Sequence, residues 1–513
     1  MQAPVNGVKG PGPDPPASTL PGVTQPPPMG SEQMAADTAA MRADLDLVDR
    51  LLRAALARQV GPHLPALMDE VRRLAAAPEP AGGGPGLSRL DALLAGLDLE
   101  ATIALVRACT ADFHLGNIVE QAHRSLLLGA GPGWLEAAVD RILEAGLPEA
   151  DVREVVARLE VRPVLTAHPT EATRWSTLSK LAAVAALLER RRGPLAPAEV
   201  EEIDRDLAAT IEALWQTDEL RHERPTPVDE ARQAIYWLLS LFDVLGPLSS
   251  RVERELARLV GDLPPEAAPL RFGTWAGGDR DGNPAVTAAV TREVLARQYD
   301  EGLGRLLGAV DELGAALSCS TTVVGVSPAL AASLAADAVA LPEVAARYGA
   351  RNATEPYRLK CRFIAARLEL TRRRLAGEEP APTGAYDGPG GLLADLGLVR
   401  RSLEEHGGEL IAAGLPSRLV RRVAAFGFGL ATLDLRDHAA RHHEALARLP
   451  GFDGYAALGR AERTARLAAE LAAGAAPAAV ASWGEDGPAA LMHGLAAALD
   501  RLGERAVESY LVS

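Results

Sequence analysis

The stretch VRPVLTAHPTE, residues 161–171, decides the fold that the sequence predicts. It opens as a short apolar and β-branched run, and beyond Pro169 the chain turns helical. Since Pro169 disfavours the helical conformation at His168, the imidazole should lie between a strand and a helix. The stretch therefore predicts a strand–turn–helix unit, and the apolar face of its helix is Trp175, Leu178, Leu181, Ala182, Ala185 and Leu188.

Three more short apolar runs interrupt the chain. They are LRFGTW at 270–275, GFGLATLDL at 427–435 and SYLV at 509–512, and long helical patterns separate them. Short apolar strands between long helical segments are typical of buried parallel sheets. Four such units predict an α/β, predominantly helical fold: the N-terminal half of a TIM-like (β/α)8 barrel with large helical insertions. A half barrel leaves unpaired strand edges, so we expect another segment to complete the sheet or the sequence to be a fragment.

The periodicity divides the rest of the chain into regions. Residues 1–33 are rich in Pro and Gly without periodicity, which predicts a disordered leader. Residues 34–160 predict an N-terminal helical region, and residues 161–513 the four strand units. Ser327-Pro328 has the residue types of a helix start. Apolar residues at helical spacing predict helices over 62–76, 87–128, 134–160, 171–192, 197–222 and 229–260.

Composition excludes several classes of partner. The chain has 513 residues and a formal net charge of −15, which argues against nucleic acid and anionic membrane surfaces as partners. The cysteines Cys109, Cys319 and Cys361 lack metal-ligand spacing, so we expect buried free thiols in a reducing compartment. There is no uncharged apolar stretch of about 18 residues and no apolar signal core. These features predict a cytoplasmic protein.

Candidate chemistry follows the first three strands. His168 would lie at a strand end beside a helix N-terminus, where imidazole can move protons near neutral pH; the alternative is a structural turn histidine. After the second strand, GGDRDGNP at 277–284 allows close backbone approach, and its carboxylates and Arg280 can form an ion-pair network that holds the loop. A calcium loop is excluded, because Gly282 and Val290 fall at the wrong positions. After the third strand, Arg436 can clamp a phosphate or carboxylate.

Other motif types are absent or weak. His438 and His442 have the i, i+4 spacing of some metal pairs, but without HExxH a solvated helix face is favoured. The sequence has no Walker loop and no GxSxG elbow.

Taken together and in order, five stretches resemble phosphoenolpyruvate carboxylase. They are VLTAHPTEATRWSTL (164–178), WQTDELRHERPTPVDEAR (215–232), FGTWAGGDRDGNPAVTAAVT (272–291), EPYR (355–358) and FGFGLATLDLRDHAARH (426–442). The resemblance implies a lyase that forms oxaloacetate and phosphate from phosphoenolpyruvate and bicarbonate, a carbon dioxide fixation that feeds the tricarboxylic acid cycle. It also implies a divalent metal, usually Mg²⁺, and a homotetramer.

The resemblance assigns roles to residues by motif. It implies that His168 is the catalytic histidine that takes a proton from carboxyphosphate, and that Arg436 holds the anionic substrates. Trp275 matches a tryptophan near the bicarbonate site, and Arg280 and Arg174 are further predicted substrate-binding residues. Trp175 and His222 stand where the family often has arginines, so sugar-phosphate activation is not expected.

The family's metal-binding Glu and Asp lie beyond the fourth strand. We therefore assign no metal ligand here, expect the Mg²⁺ ligands in a missing C-terminal part, and expect this chain alone to be inactive. Two alternatives stay open: a non-catalytic helical scaffold, for which His168→Asn would be silent, and a phosphotransferase that stores phosphate on a histidine.

Overall fold

The computed structural model describes residues 31–76, 85–129, 133–166, 173–220, 223, 225–261, 263–264, 267–281, 283–474 and 487–513. Most of the predicted leader lies outside these ranges, and its last three residues already belong to the first helix. The described helices, in chain order, are α1 Ser31–Gln59, α2 His63–Ala75, α3 Pro85–Ala95, α4 Leu99–Gly129, α5 Trp134–Glu144, α6 Glu149–Ala157, α7 Trp175–Arg191, α8 Pro197–Trp215, α9 Pro227–Val260, α10 Ala288–Ala316, α11 Pro328–Ala340, α12 Pro342–Tyr348, α13 Pro356–Leu375, α14 Pro389–Glu404, α15 Glu409–Ala413, α16 Leu415–Phe426, α17 Ala439–Ala447, α18 Arg460–Ala472 and α19 Pro488–Leu502.

The helix predictions hold with local corrections. Segments 87–128 and 134–160 each divide into two helices, because Gly96 and Gly146 interrupt them; Gly146 has a φ of 59°. The helix predicted over 171–192 begins at Trp175 in the structure. The start of α11 is confirmed: Ser327 Oγ accepts a hydrogen bond from the Leu330 N–H at 3.2 Å, with proline at the first helical position.

The chain forms two compact units. The helical unit comprises residues 1–141 and 173–221, and the sheet unit comprises residues 142–172 and 222–513. This division differs from the predicted boundary at 160/161, because α7 and α8 pack with α1 and α4 in one apolar core. Helical periodicity shows that α7 and α8 have apolar faces but does not say which core receives them. That core includes Leu52, Leu56, Leu115, Val184, Leu188, Leu207 and Ile211.

The four predicted strand segments pair in parallel and in chain order. Strands β1 Val164–Leu165, β2 Gly273–Thr274 and β3 Thr432–Leu433 form one ladder, with Val164 opposite Gly273 and Gly273 opposite Thr432. After Asp434, strand β4 Leu435–Asp437 pairs with β5 Tyr510–Val512. Each strand is shorter than its apolar run. The structure confirms a predominantly helical α/β chain, whereas the half barrel stays a prediction.

An ion-pair layer joins the segments at the amino-terminal ends of the strands. Arg162 Nη1 donates to Glu508 Oε2 at 2.7 Å and to Thr432 Oγ1 at 3.2 Å. Arg271 Nε lies 3.4 Å from Glu160 Oε2. The layer therefore links the first strand segment to the last.

A buried charged cluster ties α11, α13 and α14 together. Lys360 is 0% exposed, and its Nζ donates to Asp337 Oδ2 at 2.7 Å and to Ser333 Oγ at 2.8 Å. Asp395 Oδ1 lies 2.6 Å from the same Nζ, and Arg367 Nη2 donates to Asp337 Oδ1 at 2.7 Å. Because each buried charge has an opposite partner, the cluster offsets part of its desolvation cost.

The cysteines are free thiols with different exposure. Cys361 is buried, and burial raises the pKa of its thiol to about 12. Cys109 and Cys319 are only half-buried, so the prediction of buried thiols is right for Cys361 alone.

No single described helix has the length and apolarity needed to cross a membrane. The bent pair Pro328–Ala340 and Pro342–Tyr348, at 112°, passes that test of length and composition when its two helices are taken together.

Candidate functional site

The loop after β2 lies directly against the β3–β4 segment. The Arg280 N–H donates to the Arg436 carbonyl at 2.7 Å, and the Arg436 N–H donates to the Gly278 carbonyl at 3.1 Å. A Cβ on Gly278 would lie 2.3 Å from the Asp434 carbonyl oxygen, so only glycine permits this approach. Gly277 has a φ of 81°, which favours glycine as well. The loop is therefore fixed to the carboxyl ends of the strands by its backbone.

Arg436 is the central side chain of this edge. Its Nη2 donates to Asp281 Oδ2 at 2.5 Å, and its Nη1 lies 3.7 Å from Asp279 Oδ2. The guanidinium carbon lies 5.4 Å from the centre of the Trp275 ring, in cation–π geometry. We call Trp275, Asp279, Asp281, Asp434 and Arg436 the carboxyl edge.

The ion pair keeps both charges in place. The hydrogen bond from Arg436 lowers the pKa of the Asp281 carboxyl, and the bond to Asp281 raises the pKa of Arg436. The Arg436 side chain remains 31% exposed. A guanidinium that is held by carboxylates yet reaches solvent can exchange those partners for a phosphate or carboxylate ligand.

Arg280 has a supporting position rather than an open one. Its side chain is 1% exposed, its Nε donates to the Val286 carbonyl at 2.9 Å, and its Nη1 lies 3.9 Å from Asp437 Oδ2. Asp437 Oδ1 accepts from the His438 N–H at 2.9 Å and lies 3.5 Å from Arg441 Nη1. This burial does not favour the predicted substrate contact of Arg280, because the side chain anchors the loop to β4.

The predicted loop network has different partners from those expected. The carboxylates of Asp279 and Asp281 face Arg436, while Arg280 faces Asp437. Sequence reasoning did not identify Asp437 as a partner of Arg280, although the alternation of side chains along β4 indicates that Asp437 is buried. Leu435 and Asp437 are 1% and 0% exposed, and Arg436 between them points to the opposite face.

Three buried polar atoms near this edge have no hydrogen-bond partner in the part of the chain that the structure describes. They are Trp275 Nε1, Asp434 Oδ1 and Asp437 Oδ2. Buried polar groups normally have partners, and ordered water, a ligand or further protein atoms can supply them at these three positions.

The remaining predicted residues are placed elsewhere or not at all. His168 lies outside the described residues, as do Thr170 and His222. Arg174 belongs to the helical unit, where it precedes α7 and its Nη1 lies 3.7 Å from Asp218 Oδ2. The structure therefore brings together Trp275, Arg280 and Arg436 of the predicted set.

The histidines after β4 have local partners. His438 Nδ1 accepts from the Ala440 N–H at 3.1 Å and caps α17. His442 Nε2 bonds the Tyr510 hydroxyl at 2.8 Å, and its Nδ1 bonds the His438 carbonyl at 3.2 Å. Across the described residues, no group of three or more His, Cys, Asp or Glu side chains has metal-binding geometry.

The fold and site define a predominantly helical α/β protein in which a part-exposed arginine lies over a tryptophan ring where parallel strands end. The sequence model of the phosphoenolpyruvate carboxylase family matches residues 41–513, and the chain belongs to that family. It is 34% identical to the phosphoenolpyruvate carboxylase of Roseiflexus castenholzii over 84% of this chain and 48% of the relative. It is 36% identical to that of Pseudomonas paraeruginosa over 80% of this chain and 46% of the relative, and 35% identical to that of Pseudomonas aeruginosa over the same shares. The chain spans about half the length of these relatives.

Proposed function

We propose that this chain carries the substrate-anion half of a phosphoenolpyruvate carboxylase active site. The observation that carries the proposal is Arg436, stacked on Trp275 and held by Asp281 at the carboxyl edge. Phosphoenolpyruvate offers a phosphate and a carboxylate, and bicarbonate is also an anion, so each substrate suits a part-exposed guanidinium.

In the proposed reaction, a bicarbonate oxygen attacks the phosphorus of phosphoenolpyruvate, and the bond from phosphorus to the enol oxygen breaks. The products of this step are carboxyphosphate and an enolate. His168 takes the proton of carboxyphosphate, which then releases carbon dioxide and phosphate. The enolate carbon attacks carbon dioxide to form oxaloacetate. Arg436 holds negative charge in place throughout, which is the main requirement of phosphoryl transfer.

The metal of the family does not fit the described residues. The carboxylates of Asp279 and Asp281 serve Arg436, and that of Asp437 serves Arg280 and Arg441. We propose that any Mg²⁺ ligands are supplied by sequence that corresponds to the second half of the relatives, and we assign no step to the metal here. We likewise propose that the strands form half of a barrel, that the full-length protein is a homo-oligomer and that it is cytoplasmic. These proposals rest on the membership of the chain in the family.

We expect the purified 513-residue chain to form no oxaloacetate from phosphoenolpyruvate, bicarbonate and Mg²⁺, because metal ligands are lacking among the described residues. A coupled assay with malate dehydrogenase and NADH would measure the product. The second half of the Pseudomonas aeruginosa relative, added as a separate polypeptide, should restore formation, and His168→Asn in this chain should abolish it again. Oxaloacetate release by the chain alone would contradict the expectation.

We further expect Arg436→Met to weaken phosphoenolpyruvate binding at least about tenfold, because a charge-assisted hydrogen bond is lost. Binding would be followed by tryptophan fluorescence, and Trp275→Phe should remove the signal. The matched control is Arg505→Met, which removes an exposed arginine at the other end of the strands and should leave binding unchanged. Equal affinities of Arg436→Met and wild type would refute the proposed anion site.

A further inference from the structure

Arg436 already has anionic partners within the chain. Asp281 Oδ2 accepts from its Nη2 at 2.5 Å, and Asp279 Oδ2 lies 3.7 Å from its Nη1. These contacts use N–H groups that a phosphate or carboxylate ligand would need. An incoming anion therefore has to replace a carboxylate at the guanidinium.

The charges around Arg436 make this replacement costly. Two carboxylates, Asp279 and Asp281, face one guanidinium, so the immediate surroundings carry a net negative charge. Arg280 and Arg441 both face Asp437, so they leave one positive charge, which the buried carboxylate of Asp434 offsets. A ligand anion that approaches Arg436 is repelled by both carboxylates until one of them leaves.

Asp281 is the carboxylate that can leave. The loop backbone before it is fixed, since Gly278 and Arg280 bond β4 and the Arg280 side chain is buried. By contrast, the Asp281 side chain is 21% exposed, and among the described residues its other side-chain hydrogen bond is from Ser513 Oγ at 3.0 Å. Displacement of this carboxylate therefore requires a change of the Asp281 side-chain rotamer and no movement of the loop.

On the basis of the proposed function, we propose that Asp281 is a positioning residue that competes with the substrate anion. Its carboxylate holds the guanidinium over Trp275, and a phosphate or carboxylate ligand displaces it. The residue thereby keeps Arg436 oriented before binding, and it lowers the affinity of the edge for anions. Asp281 sets how much phosphoenolpyruvate is needed to occupy Arg436.

The test measures binding of phosphoenolpyruvate, and separately of inorganic phosphate, to the 513-residue chain by calorimetry. Asp281→Asn keeps an acceptor beside Arg436 but removes the charge, so affinity for both probes should rise about threefold to tenfold. Asp281→Glu should return affinity to the wild-type value. The matched control is Asp311→Asn, which neutralises an exposed, arginine-paired aspartate elsewhere in the sheet unit and should change nothing.

The outcomes separate this inference from the proposed function. If the wild type binds through Arg436 and Asp281→Asn binds no more tightly, competition by Asp281 is refuted while the anion site stands. If neither wild type nor Asp281→Asn binds either probe, both proposals fail. Urea unfolding midpoints equal to the wild type would show that the variants are folded, and a change in affinity at an equal midpoint excludes a merely structural role.

Discussion

Gly278→Ala should weaken anion binding at Arg436, because Arg436 loses the backbone contacts that place it at the strand end, and this loss outweighs the removal of the competing Asp281 carboxylate. The new Cβ would lie 2.3 Å from the Asp434 carbonyl oxygen, a backbone atom that cannot rotate away. Relief of this overlap requires the loop to separate from β4, which breaks the hydrogen bonds that Gly278 and Arg280 make with Arg436. We expect a loss of about 1–3 kcal/mol in the free energy of unfolding, measured by urea titration, with phosphoenolpyruvate binding measured by calorimetry.

Gly308→Ala is the matched control for this substitution. Gly308 lies on α10, and a Cβ there meets nothing within 4 Å. Alanine in an open helix position should stabilise the chain by about 0.5–1 kcal/mol. If both variants bound anions as the wild type does, the close approach of the loop to β4 would be irrelevant to the site.

Lys360→Met should lower the free energy of unfolding more than Gly278→Ala does. The substitution leaves the carboxylates of Asp337 and Asp395 buried with fewer opposite charges, and removal of one partner from a buried ion pair typically costs about 3–5 kcal/mol. Methionine fills a similar volume, so the loss reports charge rather than a cavity. Urea unfolding followed by circular dichroism would measure it.

The comparison for Lys360→Met is Lys180→Met. Lys180 is half-buried, and within the described residues its Nζ donates to the Ser176 carbonyl at 3.1 Å. Its removal should change the free energy of unfolding by less than about 1 kcal/mol. Similar losses for the two variants would show that the ion pairs of Lys360 contribute no more to the free energy of unfolding than the single contact of Lys180.

The sequence predicts the strands better than the helices around them. Each strand is a short apolar run between polar turns, so composition and length identify it, and the parallel order follows from the long helical connections. The predicted region 161–513 includes α7 and α8, whereas the compact units group them with α1 and α4, since an apolar helix face is compatible with either core. Sequence reasoning missed the burial of Lys360. The signal for it is the helical spacing that places Lys360 on the same face as Tyr357 and Ile364, which are both 0% exposed.

The partners of Arg436 show where sequence reasoning ends. Its position at a strand end follows from the apolar run before it, and its exposed face follows from alternation with Leu435. Its bond to Asp281 joins residues 155 positions apart, and no local pattern specifies such a pair. Register between parallel strands, set here by backbone contact at Gly278, decides which carboxylate meets the guanidinium.

The Arg162–Glu508 pair has a consequence for biosynthesis. The two residues are 346 positions apart, so the first strand segment leaves the ribosome long before its last partner is made. At about 5–20 residues per second, that interval is roughly 20–70 s. During this time the nascent chain holds an incomplete sheet whose edges can pair with other chains. Contacts of such long range also slow the search for the native arrangement, so the segment around residue 164 is exposed to mispairing for the whole interval.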